Sequence, residues 1–157
     1  NKRMGIASEH LAMSILRSML GSALTPTAAS RLGPTIVFAT PTGEPHELGL
    51  QSAALTALGA GANTIYLGAE LPVEDLVRAV ADVGAAVLAL SLVTLPKSQA
   101  AKVIAAIRSD LPENIRLWLG GPGAATVTAS NGVEHMGNME EFERRVALLS
   151  FEKPGRS

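Results

Sequence analysis

From residue 35 onward the chain alternates short, continuous apolar runs with longer runs of helical periodicity. The runs TIVFAT (35–40), NTIYLG (63–68), AAVLALSL (85–92) and IRLWLGG (115–121) read as buried strands. GVEHMG (132–137) reads as a short fifth strand. Between and after them, 47–60, 73–84, 97–111 and the run NMEEFERRVALLS read as helices. Strands that are apolar throughout must be covered on both faces, which predicts a parallel sheet between two helical layers. With five strands the expected fold is a flavodoxin-like, doubly wound α/β sheet. Upstream, residues 4–20 place Ile6, Met13, Leu16 and Leu20 at helical spacing, with Gly21 as the expected stop. The predicted organisation is therefore the end of a helical bundle (1–20), a linker rich in Ser, Thr, Pro and Ala (21–34), the α/β domain (35–150) and a tail (151–157). The opening residues NKRMGIASEHL read as the inside of a helix, so the chain is expected to continue upstream of Asn1.

Composition narrows what such a fold could do. The 157 residues are 47% hydrophobic and 17% charged, too apolar for disorder. Absence of Cys excludes disulfides, thiolate metal sites and a Cys nucleophile. The net charge of -1 comes from 13 basic and 14 acidic residues scattered along the chain, without the basic patch of a DNA-binding surface. Aromatics at 3% argue against a stacking platform for single-stranded nucleic acid. Neither a membrane-length apolar run nor a signal peptide is visible, so no membrane partner and a cytoplasmic location are expected.

Ligands of doubly wound sheets bind beyond the carboxyl ends of the strands. Those ends exclude three nucleotide-type readings. A receiver domain needs acidic residues where Thr40 and Ser91 stand. A dinucleotide site needs G-x-G-x-x-G directly after the first strand, whereas GAGANT (59–64) follows a helix and lacks the last Gly. A P-loop run is absent. What the first strand end does carry is GEPHELG, residues 43–49, with Glu44 two positions before His46. A carboxylate on one ring nitrogen fixes the tautomer of a metal-binding imidazole and raises its basicity. Taken alone, the heptad favours the plainer reading of a loop histidine beside helix-start carboxylates.

Spacing to the later strand ends reverses that balance. Residues 50–90 separate Gly49 from Ser91, and residues 94–119 separate Val93 from Gly120-Gly121. GEPHELG, Ser91-Leu92-Val93 and Gly120-Gly121 together resemble the D-x-H-x-x-G, S-x-L and G-G signature of the cobalamin-binding domain family, over roughly residues 33–150. Glu replaces the usual Asp at position 44, and Val replaces the usual Leu at 93. The resemblance implies that His46 is the lower axial ligand of cobalt, oriented by Glu44, with the nucleotide tail threaded between sheet and helices. It further implies that Gly49 permits close approach, Ser91 hydrogen-bonds the displaced base, and Val93 packs on the tail. Thr94 would keep the channel open, and Gly120, Gly121 and Gly123 would let the fourth loop pass near the tail.

The run GEPHELGL, with Glu at the Asp position, is most similar to the light-sensing MerR-type transcriptional regulators. There a W-x9-E-H motif in an upstream bundle covers the upper corrin face, and Glu9-His10 matches its E-H end. That pair reads evenly as motif or as an exposed pair on an amphipathic helix. The resemblance implies a non-enzymatic sensor that binds adenosylcobalamin, with methylcobalamin or hydroxocobalamin as alternatives. It also implies a homo-oligomer that contacts DNA only through an upstream domain. The competing readings are a corrinoid methyl carrier of a methyltransferase system and a module for storage or protein contact. His135, in the short last strand, reads as structural.

Overall fold

The computed structural model describes residues 6–23, 33–128 and 132–151. Five parallel strands, β1 (Thr35–Pro41), β2 (Asn63–Leu71), β3 (Val87–Ser91), β4 (Arg116–Gly120) and β5 (Val133–His135), form one sheet in the order β2-β1-β3-β4-β5. This is the flavodoxin-like order expected from the alternation of apolar runs. Among the described residues there are five α-helices, α1 (Ile6–Ala23), α2 (Leu48–Gly59), α3 (Val73–Asp82), α4 (Lys97–Asp110) and α5 (Met139–Phe151), of which α2 to α5 cover the sheet.

Alternation along the strands sends side chains to two separate cores. Val37, Ala39, Leu88, Leu90, Leu117 and Leu119 meet Leu76 and Val80 of α3 and Ile104 and Ile107 of α4. On the other face Ile36, Phe38, Ala89 and Trp118 meet Leu50 and Ala54 of α2 and Phe142 and Val146 of α5. β1 and β3 are buried along nearly their whole length because both faces are covered, which is why they read as continuous apolar runs.

Two boundaries depart from expectation. α1 runs through Gly21 to Ala23. A helix-interior glycine costs roughly 1 kcal/mol relative to Ala, too little to force a stop. α1 contacts α2, yet Leu11, Ile15, Leu16 and Met19 are exposed, so its apolar residues are not gathered on one buried stripe. β2 is three residues longer than its apolar run, ending at Leu71. The extension kinks at Gly68 (φ 99) and at Glu70, whose φ of 59 is the only positive value at a non-glycine residue among those described. The buried Thr40 hydroxyl fixes this kink by accepting the Glu70 N–H at 2.9 Å and donating to the Glu44 carbonyl. The ends of β1 and β2 and the following loop are thus tied at one hydroxyl.

Candidate functional site

Beyond β1 the chain turns at Thr42-Gly43, where Gly43 adopts φ 90 and the Glu44 N–H returns to the Pro41 carbonyl at 3.0 Å. That turn drives the Glu44 side chain inward, and the residue is fully buried. A buried carboxylate needs partners, and Glu44 has six contacts. Oε2 accepts the backbone N–H groups of Val93 at 2.7 Å, Thr94 at 2.7 Å and Leu95 at 3.0 Å. Oε1 accepts the His46 N–H at 3.2 Å and the Thr94 hydroxyl at 3.3 Å, and lies 2.8 Å from His46 Nδ1. Burial alone would raise the Glu44 pKa. The donors from Val93, Thr94, His46 and Leu95 outweigh it and hold the carboxyl down at about 2.

An ionised carboxylate only accepts hydrogen bonds, so the proton of a neutral His46 ring sits on Nδ1. Nε2 then carries the free lone pair. The His46 side chain is 54% exposed while its partner is 0% exposed, so the orienting bond is internal and the ring is accessible. Downstream, Tyr66 Oη donates to Glu47 Oε2 at 2.6 Å and anchors the start of α2 to β2. His46 is thereby fixed from both sides.

Next to Val93, between the sheet and the α2 and α5 layer, lies a mainly apolar cavity of about 590 Å³, within the usual ~300–1,000 Å³ range for small-molecule sites; Glu44 and His46 do not themselves border it. Gly49, Ser91, Val93, Gly120 and Gly121 border it. The glycines divide by role. Nothing lies within 4 Å of a Cβ built on Gly49, so its missing side chain leaves open space. A Cβ on Gly121 would stand 2.4 Å from the Leu92 carbonyl oxygen, and one on Gly123 3.0 Å from it. Gly123 therefore serves loop packing, its N–H donating to the Leu92 carbonyl at 2.9 Å, and it does not border the cavity.

Thr94 also departs from its expected place. It does not line the cavity; its Oγ1 lies 3.2 Å from His46 Nδ1 as well as 3.3 Å from Glu44. The reason is that its own N–H is pinned to Glu44, which turns the hydroxyl toward the carboxylate–imidazole pair. His135 borders the cavity, but register pairs it with Leu119, whose side chain packs on the α3 and α4 face. Its Nε2 is buried without a partner among the described residues. Glu9 and His10 lie on α1, and their side chains fall outside the described residues.

Sequence reasoning missed the clamp of three backbone amides on Glu44 and the ring of Phe38, Trp118 and Phe142 at the cavity. The extra methylene of Glu over the usual Asp was the available signal for the first.

The arrangement fits one axial ligand better than a complete metal cage. Among the described residues no group of three His, Cys, Asp or Glu could hold an ion. A corrin supplies four nitrogens of its own, so one exposed imidazole nitrogen suffices, and the adjoining cavity offers space for a tail. Among the described residues no helix is long and apolar enough to cross a membrane.

Comparison with known proteins agrees with this geometry. The B12 binding domain family profile matches residues 34–145. Two HTH-type transcriptional repressors of Myxococcus xanthus are similar. CarH is 33% identical over 122 residues, covering 76% of this chain and 40% of CarH. CarA is 32% identical over 124 residues, covering 78% of this chain and 42% of CarA. The chain thus spans less than half the length of these curated relatives. The methanol:cobalamin methyltransferase complex MtaBC of Methanosarcina barkeri shares the fold, with a TM-score of 0.64 at 16% identity. That match covers 96% of this chain and 59% of the other.

Proposed function

The chain belongs to the B12-binding domain family, and we propose that it holds cobalamin base-off, with His46 Nε2 as the lower axial ligand, as the sensing module of a transcriptional regulator. The observation that carries the ligand assignment is the Glu44–His46 contact at 2.8 Å, which engages Nδ1 and leaves Nε2 free on an exposed ring, while the cavity begins at Val93, whose N–H Glu44 also holds. Glu44 holds the imidazole tautomer and orientation, and Thr94 supports the same pair. Ser91 donates to the displaced base, Val93 packs on the tail, and Gly49 and Gly120 leave room for it. Gly121 and Gly123 hold the fourth loop in place against Leu92.

The regulator role rests on the two repressors among the relatives and on Glu at position 44. Bound adenosylcobalamin supplies a cobalt–carbon bond that light cleaves. Glu9 and His10, with helices upstream, cover the upper face in this reading. Exposed Leu11, Ile15 and Met19 on α1 give that bundle apolar surface to rearrange. The protein acts in the cytoplasm as a homo-oligomer, and DNA is gripped by an upstream domain.

The test uses the full-length protein loaded with adenosylcobalamin, kept dark or exposed to green light. The absorption spectrum and the elution volume in size-exclusion chromatography should both change on illumination. If neither changes, the sensor role is wrong and the corrinoid methyl-carrier reading takes its place.

A further inference from the structure

The chain holds one Trp, one Tyr and three Phe, and three of these five aromatic rings meet at one wall of the cavity. Phe142 stands edge-on to Phe38 with centroids 6.1 Å apart, and edge-on to Trp118 at 5.7 Å. The one polar atom of the trio is committed elsewhere. Trp118 Nε1–H donates to Glu134 Oε1 at 3.2 Å, and Arg145 Nη1 holds Glu134 Oε2 at 2.7 Å. The trio therefore offers a ligand hydrocarbon and no donor.

The remaining polar side chains at the cavity are few. Ser91 is buried and borders it. Asn138 is at the exposed rim, its Oδ1 accepting the Glu141 N–H at 2.8 Å. His135 follows Glu134, which shares a face with Trp118, so strand alternation turns its imidazole to the opposite face. Among the side chains of the described residues, the inner wall thus presents one hydroxyl.

We propose that this wall makes the site selective for the lower base of the corrinoid, retaining benzimidazole bases and rejecting purine bases. The inference rests on the base-off reading above. A benzimidazole detached from cobalt exposes one free ring nitrogen, which the Ser91 hydroxyl satisfies, and is otherwise hydrocarbon. Adenine adds an exocyclic amine and further ring nitrogens, which this wall leaves without partners. Unpaired buried polar groups of that kind predict a preference of roughly tenfold to a hundredfold. Adenine coordinates cobalt more weakly and detaches more easily, so base detachment cannot be the source of a preference for cobalamin.

The experiment titrates the full chain with cobalamin, with the cobamide carrying adenine as lower base, and with cobinamide, which has no nucleotide. Dissociation constants are read by absorbance. Cobalamin should bind at least about tenfold tighter than the adenine cobamide, and Ser91→Ala should shrink that ratio. Equal affinities for the two cobamides, with cobalamin still converting to its base-off spectrum, would overturn base selection alone. Cobalamin that binds with its own base still on cobalt would instead remove the reading on which selection rests.

Discussion

Glu44→Ala should destabilise the domain by roughly 3–5 kcal/mol, the range for removing one partner of a buried charged network. The loss is large because Oε2 takes three amides from the β3–α4 loop, and those donors are left without an acceptor. Urea denaturation of the apoprotein measures it; a loss under about 1 kcal/mol would show that water replaces the carboxylate. Glu44→Gln separates folding from ligand orientation. Its carbonyl oxygen can still meet the loop amides, while its NH2 faces His46 Nδ1 and moves the ring proton to Nε2. Glu44→Gln should lose less stability than Glu44→Ala, forfeiting the share that comes from the ionised form while keeping the amides paired, and His46 ligation should fail.

The same carboxylate sets an acid dependence. Its pKa is held at about 2 against an ordinary 4.5, so the folded state favours the ionised form. Stability from this group is fully present above pH 4.5 and is lost as pH falls toward 2. It amounts to about 3 kcal/mol, taking about 1.4 kcal/mol per pKa unit. The Glu44→Gln variant should show a correspondingly flatter stability profile over that window.

Gly121→Ala should cost roughly 2–4 kcal/mol, combining left-handed backbone strain with a steric clash. Gly121 has φ 86, and a Cβ would stand 2.4 Å from the Leu92 carbonyl oxygen. That carbonyl accepts the Gly123 N–H, while the Leu92 N–H donates to Gly120, so relief of the clash pulls apart the ends of β3 and β4 at the cavity. Gly49→Ala is the contrasting case. Its position in α2 has no atom within 4 Å of the added Cβ. Replacing a helical glycine by Ala should leave stability unchanged or raise it by up to about 1 kcal/mol. Cobalamin affinity should nonetheless fall in both variants. Thermal melts and cobalamin titrations distinguish the pair; equal destabilisation would contradict the division of the glycines.

The sheet was legible because β1, β3 and β4 are covered on both faces, and double burial writes itself as unbroken apolar runs. Gly21 misled because a glycine inside a helix differs little in sequence from one that ends it. The β2 extension could not be read. Its kink at Glu70 is set by the hydroxyl of Thr40, thirty positions away, and a non-glycine residue with positive φ carries no local sign. The spacing of His46, Ser91 and Gly120-Gly121 carried a signal because each stands at or beyond the end of a strand, and the fold brings those ends to the same edge. Only the resemblance puts Thr94 in the channel. Its turn toward His46 depends on Glu44 drawing in the Val93–Leu95 amides, a contact across about fifty residues. The aromatic wall was hidden for a similar reason, since Phe38, Trp118 and Phe142 come from β1, β4 and α5.

The central claim is that a nitrogen of His46 replaces the lower base of cobalamin on cobalt. Electron paramagnetic resonance of the cob(II)alamin complex tests it most directly, because each cobalt line is split by the nucleus of the axial nitrogen. Protein labelled with 15N-histidine should turn the three-line splitting of ordinary nitrogen into two lines. His46→Ala should abolish that change while His10 and His135 remain in the chain. A three-line splitting that persists in the labelled protein would show cobalt still held by the corrinoid's own base, and would contradict the account.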